Sequence, residues 1–252
     1  MRIAGSSVLI TGGAHGLGRR FALDLAAAGA RVGVCDLDEE GLRAVAKEAL
    51  RAGSSLWSKR ADVTDEVSVE ALFAEFVAYH QGLDAAVNNA GIARDGLLVK
   101  QRGGRLEKLP LADWQRVIDV DLTGVFLCGR EAAYHMVQHG SGGVIVSLSS
   151  VARGGVYGQT SYSAAKAGVA AMTVTWAKEL ARYGVRAVAL APGFTTTELT
   201  SALRVDVRER IVTQIPLGRV AEPAEQSSAL RFVLENDYLT GRVIEVDGGL
   251  RV

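Results

Sequence analysis

Tyr162 and Lys166 stand four residues apart in Tyr162-Ser163-Ala164-Ala165-Lys166, inside an Ala-rich stretch of helical pattern. That spacing puts both side chains on one helix face. A free phenol ionises near pH ~10, too high for an effective base at neutrality. A neighbouring ammonium favours the phenolate. Such a pair can take a proton from an alcohol hydroxyl or return one to a carbonyl oxygen. Ser150 adds a hydroxyl able to hold that oxygen in place. Taken alone, Tyr and Lys at this spacing are ordinary surface neighbours, so the surrounding segments must decide.

The first of these is Thr11-Gly12-Gly13-Ala14-His15-Gly16-Leu17-Gly18, placed between a strand pattern and a helix pattern. Glycines at 12, 16 and 18 allow a tight turn, close approach of backbone to a pyrophosphate, and close helix–strand packing. The helix start then offers free N–H groups and the positive end of its dipole. Asp36 follows the second strand, 20 residues beyond Gly16, the spacing of a carboxylate that holds a ribose diol. Carboxylate and diol together suit NAD, whereas the extra phosphate of NADP would be repelled. His15 occupies a position where an NADP-preferring chain would often carry Arg or Lys. The expectation is NAD rather than NADP.

The elements that must position these residues alternate along the whole chain. Strand patterns fall at Val8–Thr11, Arg31–Cys35, Leu56–Arg60, Leu83–Asn88, Gly143–Leu148, Val185–Leu190 and Val243–Val246. Helical patterns lie between them at about 17–28, 39–51, 66–80, 112–138, 160–183, 198–213 and 223–234. Nearly continuous apolar strands separated by helices predict an α/β fold, a doubly wound parallel sheet covered on both faces, in one domain over 1–252. The connection from Gly91 to Pro110 is long and carries Arg94, Lys100, Arg102, Arg105 and Lys108. It reads either as a solvated surface hairpin or as a lip that attracts an acidic substrate.

Composition narrows the function classes. Lys plus Arg and Asp plus Glu both number 28, which gives no footprint for nucleic acid or an anionic membrane. No apolar run approaches the roughly 18 residues of a spanning helix, and no signal peptide pattern opens the chain. Cys35 and Cys128 lie singly in apolar stretches, which points to a reducing, cytoplasmic setting. The histidines are His15, His80, His135 and His139, without a Cys/His set of ligand spacing, so no metal is expected.

Together these segments resemble the classical short-chain dehydrogenase/reductase family over essentially the whole chain. The resemblance rests on TGGAHGLG at 11–18, Asp62-Val63, Asn88-Asn89-Ala90-Gly91, Ser150, Tyr162 with Lys166, Pro192-Gly193 and Asp247-Gly248-Gly249, in that order. It implies a Rossmann-type sheet of about seven strands, substrate-covering helices over about 194–220, and a homotetramer. It also implies an NAD-dependent oxidoreductase for secondary alcohols and ketones, with Tyr162 as general acid/base and Ser150, Lys166 and Asp121 beside it. Cofactor contacts then fall to Gly12, His15, Gly16, Leu17, Gly18, Asp36, Leu37, Asp62, Val63, Asn89, Ala90, Gly91, Tyr162 and Lys166. Lys166 would grip the nicotinamide ribose, and Pro192, Gly193, Thr195 and Thr197 would hold the carboxamide.

One position departs from the family pattern. Within Val117-Ile118-Asp119-Val120-Asp121-Leu122, the family usually has Asn where this chain has Asp121. That Asn helps hold a water linking the active-site Lys to solvent. An ionised Asp accepts but cannot donate as an amide does, and its charge pulls on Lys166. Three further readings are compatible with the residues. One is a 3-oxoacyl-thioester reductase using NADPH, acting on a carrier protein or coenzyme A. Asp36 and the uncharged end Tyr134-His135-Met136-Val137-Gln138-His139 of the fourth long helix weigh against its carrier-protein form. Another is a non-catalytic NAD(H)-sensing protein, favoured by Asp121 alone. The third, a metal-dependent dehydrogenase, has only His135 and His139 at helical spacing in its favour.

Overall fold

Strands whose side chains are apolar on both faces belong at the centre of a layered molecule, and the computed structural model places them there. It describes residues 1–196 and 205–251. The central sheet comprises β1 (Ser7–Thr11), β2 (Arg31–Asp36), β3 (Leu56–Arg60), β4 (Ala85–Asn88), β7 (Gly143–Leu148), β8 (Val185–Pro192) and β9 (Arg242–Val246). All pairings are parallel, in the order β3-β2-β1-β4-β7-β8-β9.

Helices α1 (Gly16–Ala27), α2 (Glu39–Arg51), α3 (Glu66–His80), α4 (Leu111–Ile118), α5 (Val125–His139), α6 (Thr160–Leu180), α7 (Val205–Gln214) and α8 (Pro223–Glu235) complete the described elements. The strand period of two divides the core between the two faces. Val8 and Ile10 meet Phe21 and Leu25 of α1 and Leu230 and Leu234 of α8. Leu9 points the other way, into Leu72, Phe73 and Phe76 of α3 and Met136 of α5. Each such Leu or Phe contributes about 1.5–3 kcal/mol on burial. Cys35 and Cys128 belong to that second core, and burial pushes the Cys35 thiol up to about 12. They act as small hydrophobes.

The helix expected over 112–138 is two helices, α4 and α5, joined by a π-helical turn at Asp119–Gly124. The pattern over 160–183 is α6 up to Leu180 followed by a tighter turn, Ala181–Tyr183. The described part of the 198–213 pattern is α7. In the long connection after β4, β5 (Val99–Arg102) and β6 (Arg105–Lys108) form an antiparallel hairpin separate from the main sheet. No helix among the described residues is long and apolar enough to cross a membrane.

The strand order fixes where a ligand fits. From β1 the chain runs outward to β2 and β3; from β4 it runs the other way, to β7, β8 and β9. Segments leaving the carboxyl ends of β1 and β4 therefore diverge, which opens a crevice at that edge.

Candidate active site

The crevice is floored by the glycine loop after β1. Gly12 has φ +66°, and a Cβ there would lie 2.8 Å from the Cα of Ala90. A Cβ on Gly18 would sit 2.1 Å from the Gly12 carbonyl oxygen and 2.5 Å from Asn89 Nδ2. Asn89 latches the loop to β4, donating to the carbonyls of Thr11 (3.0 Å) and Gly12 (2.9 Å). Thr11 Oγ1 in return accepts the amides of Asn89 and Ala90, both at 3.1 Å. Gly18→Ala should therefore cost about 1–3 kcal/mol through overpacking and weaken dinucleotide binding. Thermal melts with and without NADH check both effects, and an unaltered Tm would show that the loop gives way freely.

Helix α1 opens on this loop with no acidic residue in its first turn, and Arg19 N donates to the carbonyl of the capping residue His15 at 3.1 Å. The amides of Gly16, Leu17 and Gly18 precede it and face the crevice end of the helix. At the end of β2, Asp36 Oδ2 accepts Ala14 N and Oδ1 accepts Asp38 N, each at 3.1 Å. Lone pairs on both oxygens are left for a diol. Asp38 caps α2 through Glu40 N and lies 2.7 Å from His15 Nε2. The Gly41 amide and then His15 hold its carboxyl below the usual carboxylate range. Leu37, between the two acids, is half exposed. Asp62 bends the chain after β3 by accepting from Thr64 N (2.9 Å) and Oγ1 (2.7 Å). Val63 packs on Gly124, where a Cβ would lie 3.0 Å from Val63 Cγ2.

At the other end of the crevice, α6 carries Tyr162 and Lys166 on one face. Lys166 Nζ lies 5.4 Å from the centre of the Tyr162 ring. It donates to Leu148 O at 3.0 Å and pairs with Asp121 Oδ2 at 3.0 Å. Asp121 Oδ1 accepts the Ile92 amide at 2.8 Å. Lys166 is 3% exposed and Asp121 0%. Burial presses the Lys166 ammonium toward a lower pKa, but the charges of Tyr162 and Asp121 outweigh it and hold the pKa above the ordinary lysine value. The π-helical turn supplies the odd residue that turns Asp121 inward, a distortion common at functional sites. Gly91 makes room for the pair: a Cβ there would be 2.9 Å from Asp121 Oδ2 and 3.4 Å from Lys166 Nζ.

Ser150 caps the short turn Val151–Gly154, its Oγ accepting Ala152 N at 3.1 Å, which leaves the O–H free to donate. Its neighbour Ser149 is buried and donates to Lys166 O at 2.8 Å, tying α6 to the end of β7. Farther along, Pro192 pairs with Val246 and the Gly193 amide donates to Val246 O at 2.9 Å. Thr195 is 4% exposed; its Oγ1 donates to Gly193 O and accepts from Gln226 Nε2, each at 3.2 Å. Thr197 lies outside the described residues. Residue types do not single out Thr11, Asp38, Ile92, Leu148 or Ser149. Four of these, all but Asp38, act through backbone groups or as plain hydroxyls, which leave no signature in a sequence. Among the described residues, no group of three or more His, Cys, Asp and Glu side chains could hold a metal ion.

Residues 12–251 match the family model described as Enoyl-(Acyl carrier protein) reductase. The chain is 40% identical over 255 residues to the 3-oxoacyl-[acyl-carrier-protein] reductase FabG of Thermotoga maritima, covering 99% of each. It is also 40% identical over 243 residues to the cis-4-hydroxycyclohexanecarboxylate dehydrogenase of Sinomonas cyclohexanicum, covering 96% of this chain and 94% of that one. A crystal structure of a short-chain type dehydrogenase/reductase from Mycobacterium marinum superposes with TM-score 0.89 at 34% identity, covering 98% of this chain and 96% of that one. From its glycine loop to its last strand, the chain belongs to the short-chain dehydrogenase/reductase family of oxidoreductases.

Proposed function

We propose that the protein interconverts a secondary alcohol and a ketone with NAD(H), with Tyr162 as general acid/base. The observation that carries this reading is the buried Lys166 ammonium under the Tyr162 ring, in one crevice with a glycine cradle that a single Cβ would fill. The residues fit a nicotinamide dinucleotide: outward amides at the start of α1 for its phosphates, and Asp36 with open lone pairs for a ribose diol. When bound, that cofactor supplies the hydride acceptor or donor.

The chain's own residues do the rest. Ser150 donates to the substrate oxygen and fixes it beside Tyr162. Tyr162 takes the alcohol proton in oxidation and returns it in reduction. Lys166 stabilises the phenolate and holds the nicotinamide ribose, while Asp121 and Leu148 O hold Lys166 in place. Pro192, Gly193, Thr195 and Thr197 orient the carboxamide, and with it the reacting face. Asp62 and Val63 flank the adenine, with Leu37 at the rim. His135 and His139 take no part. The assembly is a homotetramer in the cytoplasm, built through α5, α6 and β9; half-exposed Phe126 and Tyr134 on α5 support that arrangement.

Preference for NAD rests on two carboxylates, Asp36 and Asp38, at the corner where an added 2′-phosphate would enter. The test is a panel of secondary alcohols and 3-hydroxyacyl thioesters with each coenzyme. We expect kcat/KM to favour NAD⁺ by about tenfold or more, corresponding to about 1.4 kcal/mol, and Asp36→Ala to shrink that ratio. Equal or better use of NADP⁺ would overturn the preference. A second reading is an NADPH-dependent 3-oxoacyl-thioester reductase; the Thermotoga maritima relative, a 3-oxoacyl-[acyl-carrier-protein] reductase, supports its substrate class.

A further inference from the structure

The hairpin β5–β6 takes no part in the chemistry described so far, yet it concentrates charge. Residues 94–108 hold five cations against two carboxylates, in a chain whose charges cancel as a whole. The register sorts them: Lys100 pairs with Glu107 and Arg102 with Arg105, so these four share one face, while Val99, Gln101, Leu106 and Lys108 share the other. On the cationic face, Lys100 is matched by Glu107 at 3.1 Å. Arg102 and Arg105 face each other across the Gly103-Gly104 tip, and neither makes an ion pair among the described residues. Like charges directly opposite on a two-stranded ribbon repel. An anion seated between them removes that repulsion and gains two forks of N–H donors suited to phosphate.

The hairpin is also joined to the catalytic end of α6. Leu109 N closes its base on Leu98 O at 3.0 Å. Just before it, Gly96 N donates to Gly158 O at 2.7 Å, and Gln159 Nε2 donates to Asp95 Oδ1 at 3.0 Å. Helix α6 begins at the next residue, Thr160, two before Tyr162. Each strand has four residues, so the arginines stand about 13 Å beyond that base. A ligand held at the tip must have a long arm to reach Tyr162.

We propose that the hairpin is a phosphate site for the nucleotide end of a coenzyme A thioester, whose pantetheine arm runs down to place a 3-oxo or 3-hydroxyacyl group at Tyr162. This rests on the reading of Tyr162 as acid/base for an alcohol or ketone. A small polyphosphate fits better than an acidic carrier protein, because a protein partner needs about 800 Å² of matched surface. Here the unmatched charge is confined to the hairpin, and α4, which follows directly, sets Asp113 against Arg116.

Binding of coenzyme A and of dephospho-coenzyme A to the NADH-saturated protein, followed calorimetrically, tests this independently of turnover. We expect coenzyme A to bind at least about tenfold tighter than the dephospho form, and about tenfold weaker in the Arg102→Glu/Arg105→Glu double variant. The KM for a 3-hydroxyacyl-coenzyme A should be far below that for the same acyl group on N-acetylcysteamine, with the ratio collapsing in the double variant. Equal coenzyme A affinity in wild type and double variant overturns the proposal. So does a variant that loses only the use of an acyl carrier protein. Failure to turn over the N-acetylcysteamine thioester would instead count against the Tyr162 reading, and the calorimetry would still decide for the hairpin. Both arginines are exposed at a turn, and matching melting curves confirm that the double variant folds.

Discussion

Tyr162→Phe is expected to lower kcat by about 10²–10⁴-fold, because it deletes the hydroxyl proposed to move the proton at the substrate oxygen. The phenyl ring keeps its place over Lys166, so the change removes a hydroxyl and little else. Dinucleotide affinity, read by quenching of protein fluorescence, should change far less than kcat. That split is the signature of an interaction made at the transition state rather than in binding. Lys166→Met should give a comparable loss of turnover with weaker dinucleotide binding as well, since Lys166 is assigned both phenolate and ribose. A Tyr162→Phe protein that retained wild-type kcat would move proton transfer to another group. A wild-type protein that bound NAD⁺ tightly but turned over nothing in a broad alcohol and ketone panel would favour the sensor reading.

The parts of the site legible in the sequence are those where physics permits few residue types. Gly12 and Gly18 face contacts of 2.8 and 2.1 Å that any Cβ would violate, so their spacing announces itself. Asp36 at the end of an apolar strand, and Tyr162 with Lys166 on one face of α6, are similarly constrained by charge and period. The parts not legible depend on geometry that many residues satisfy. The turn at Asp119–Gly124 is hidden because a helix pattern runs through it, and only the burial of Asp121 and Gly124 betrays the inserted residue. Ser149 looks like a spare hydroxyl beside Ser150 until α6 is docked against β7. Asp38 reads as an ordinary helix cap, and only the folded loop brings it to His15. The long connection after β4 shows its cations in sequence, but the pairing of Arg102 with Arg105 depends on a register that sequence leaves free.

Asp121 offers the second large effect, and two substitutions separate its roles. Its carboxylate is the countercharge of an ammonium that is almost wholly buried, and its Oδ1 also satisfies the Ile92 amide. Asp121→Ala strands both groups. Breaking one side of a buried pair costs about 3–5 kcal/mol, which for a chain of this size lowers Tm by roughly 10 °C. Because the pair raises the Lys166 pKa, its stabilisation is complete below the ordinary lysine value of 10.5 and is lost as pH rises through the raised one. Alkaline unfolding should therefore begin at lower pH in the alanine variant. Asp121→Asn keeps an acceptor for Ile92 N and restores an amide donor, so the stability loss should be smaller. It also removes the negative charge that helps hold the buried Lys166 ammonium beneath the Tyr162 ring. That change of charge beside Tyr162 should alter kcat/KM at fixed pH. If an amide donor is needed to hold water between Lys166 and solvent, kcat rises too; an unchanged or lower kcat rejects that need. A kcat/KM that stays in place while Tm falls would leave Asp121 as an anchor for Lys166 with no part in setting its charge balance.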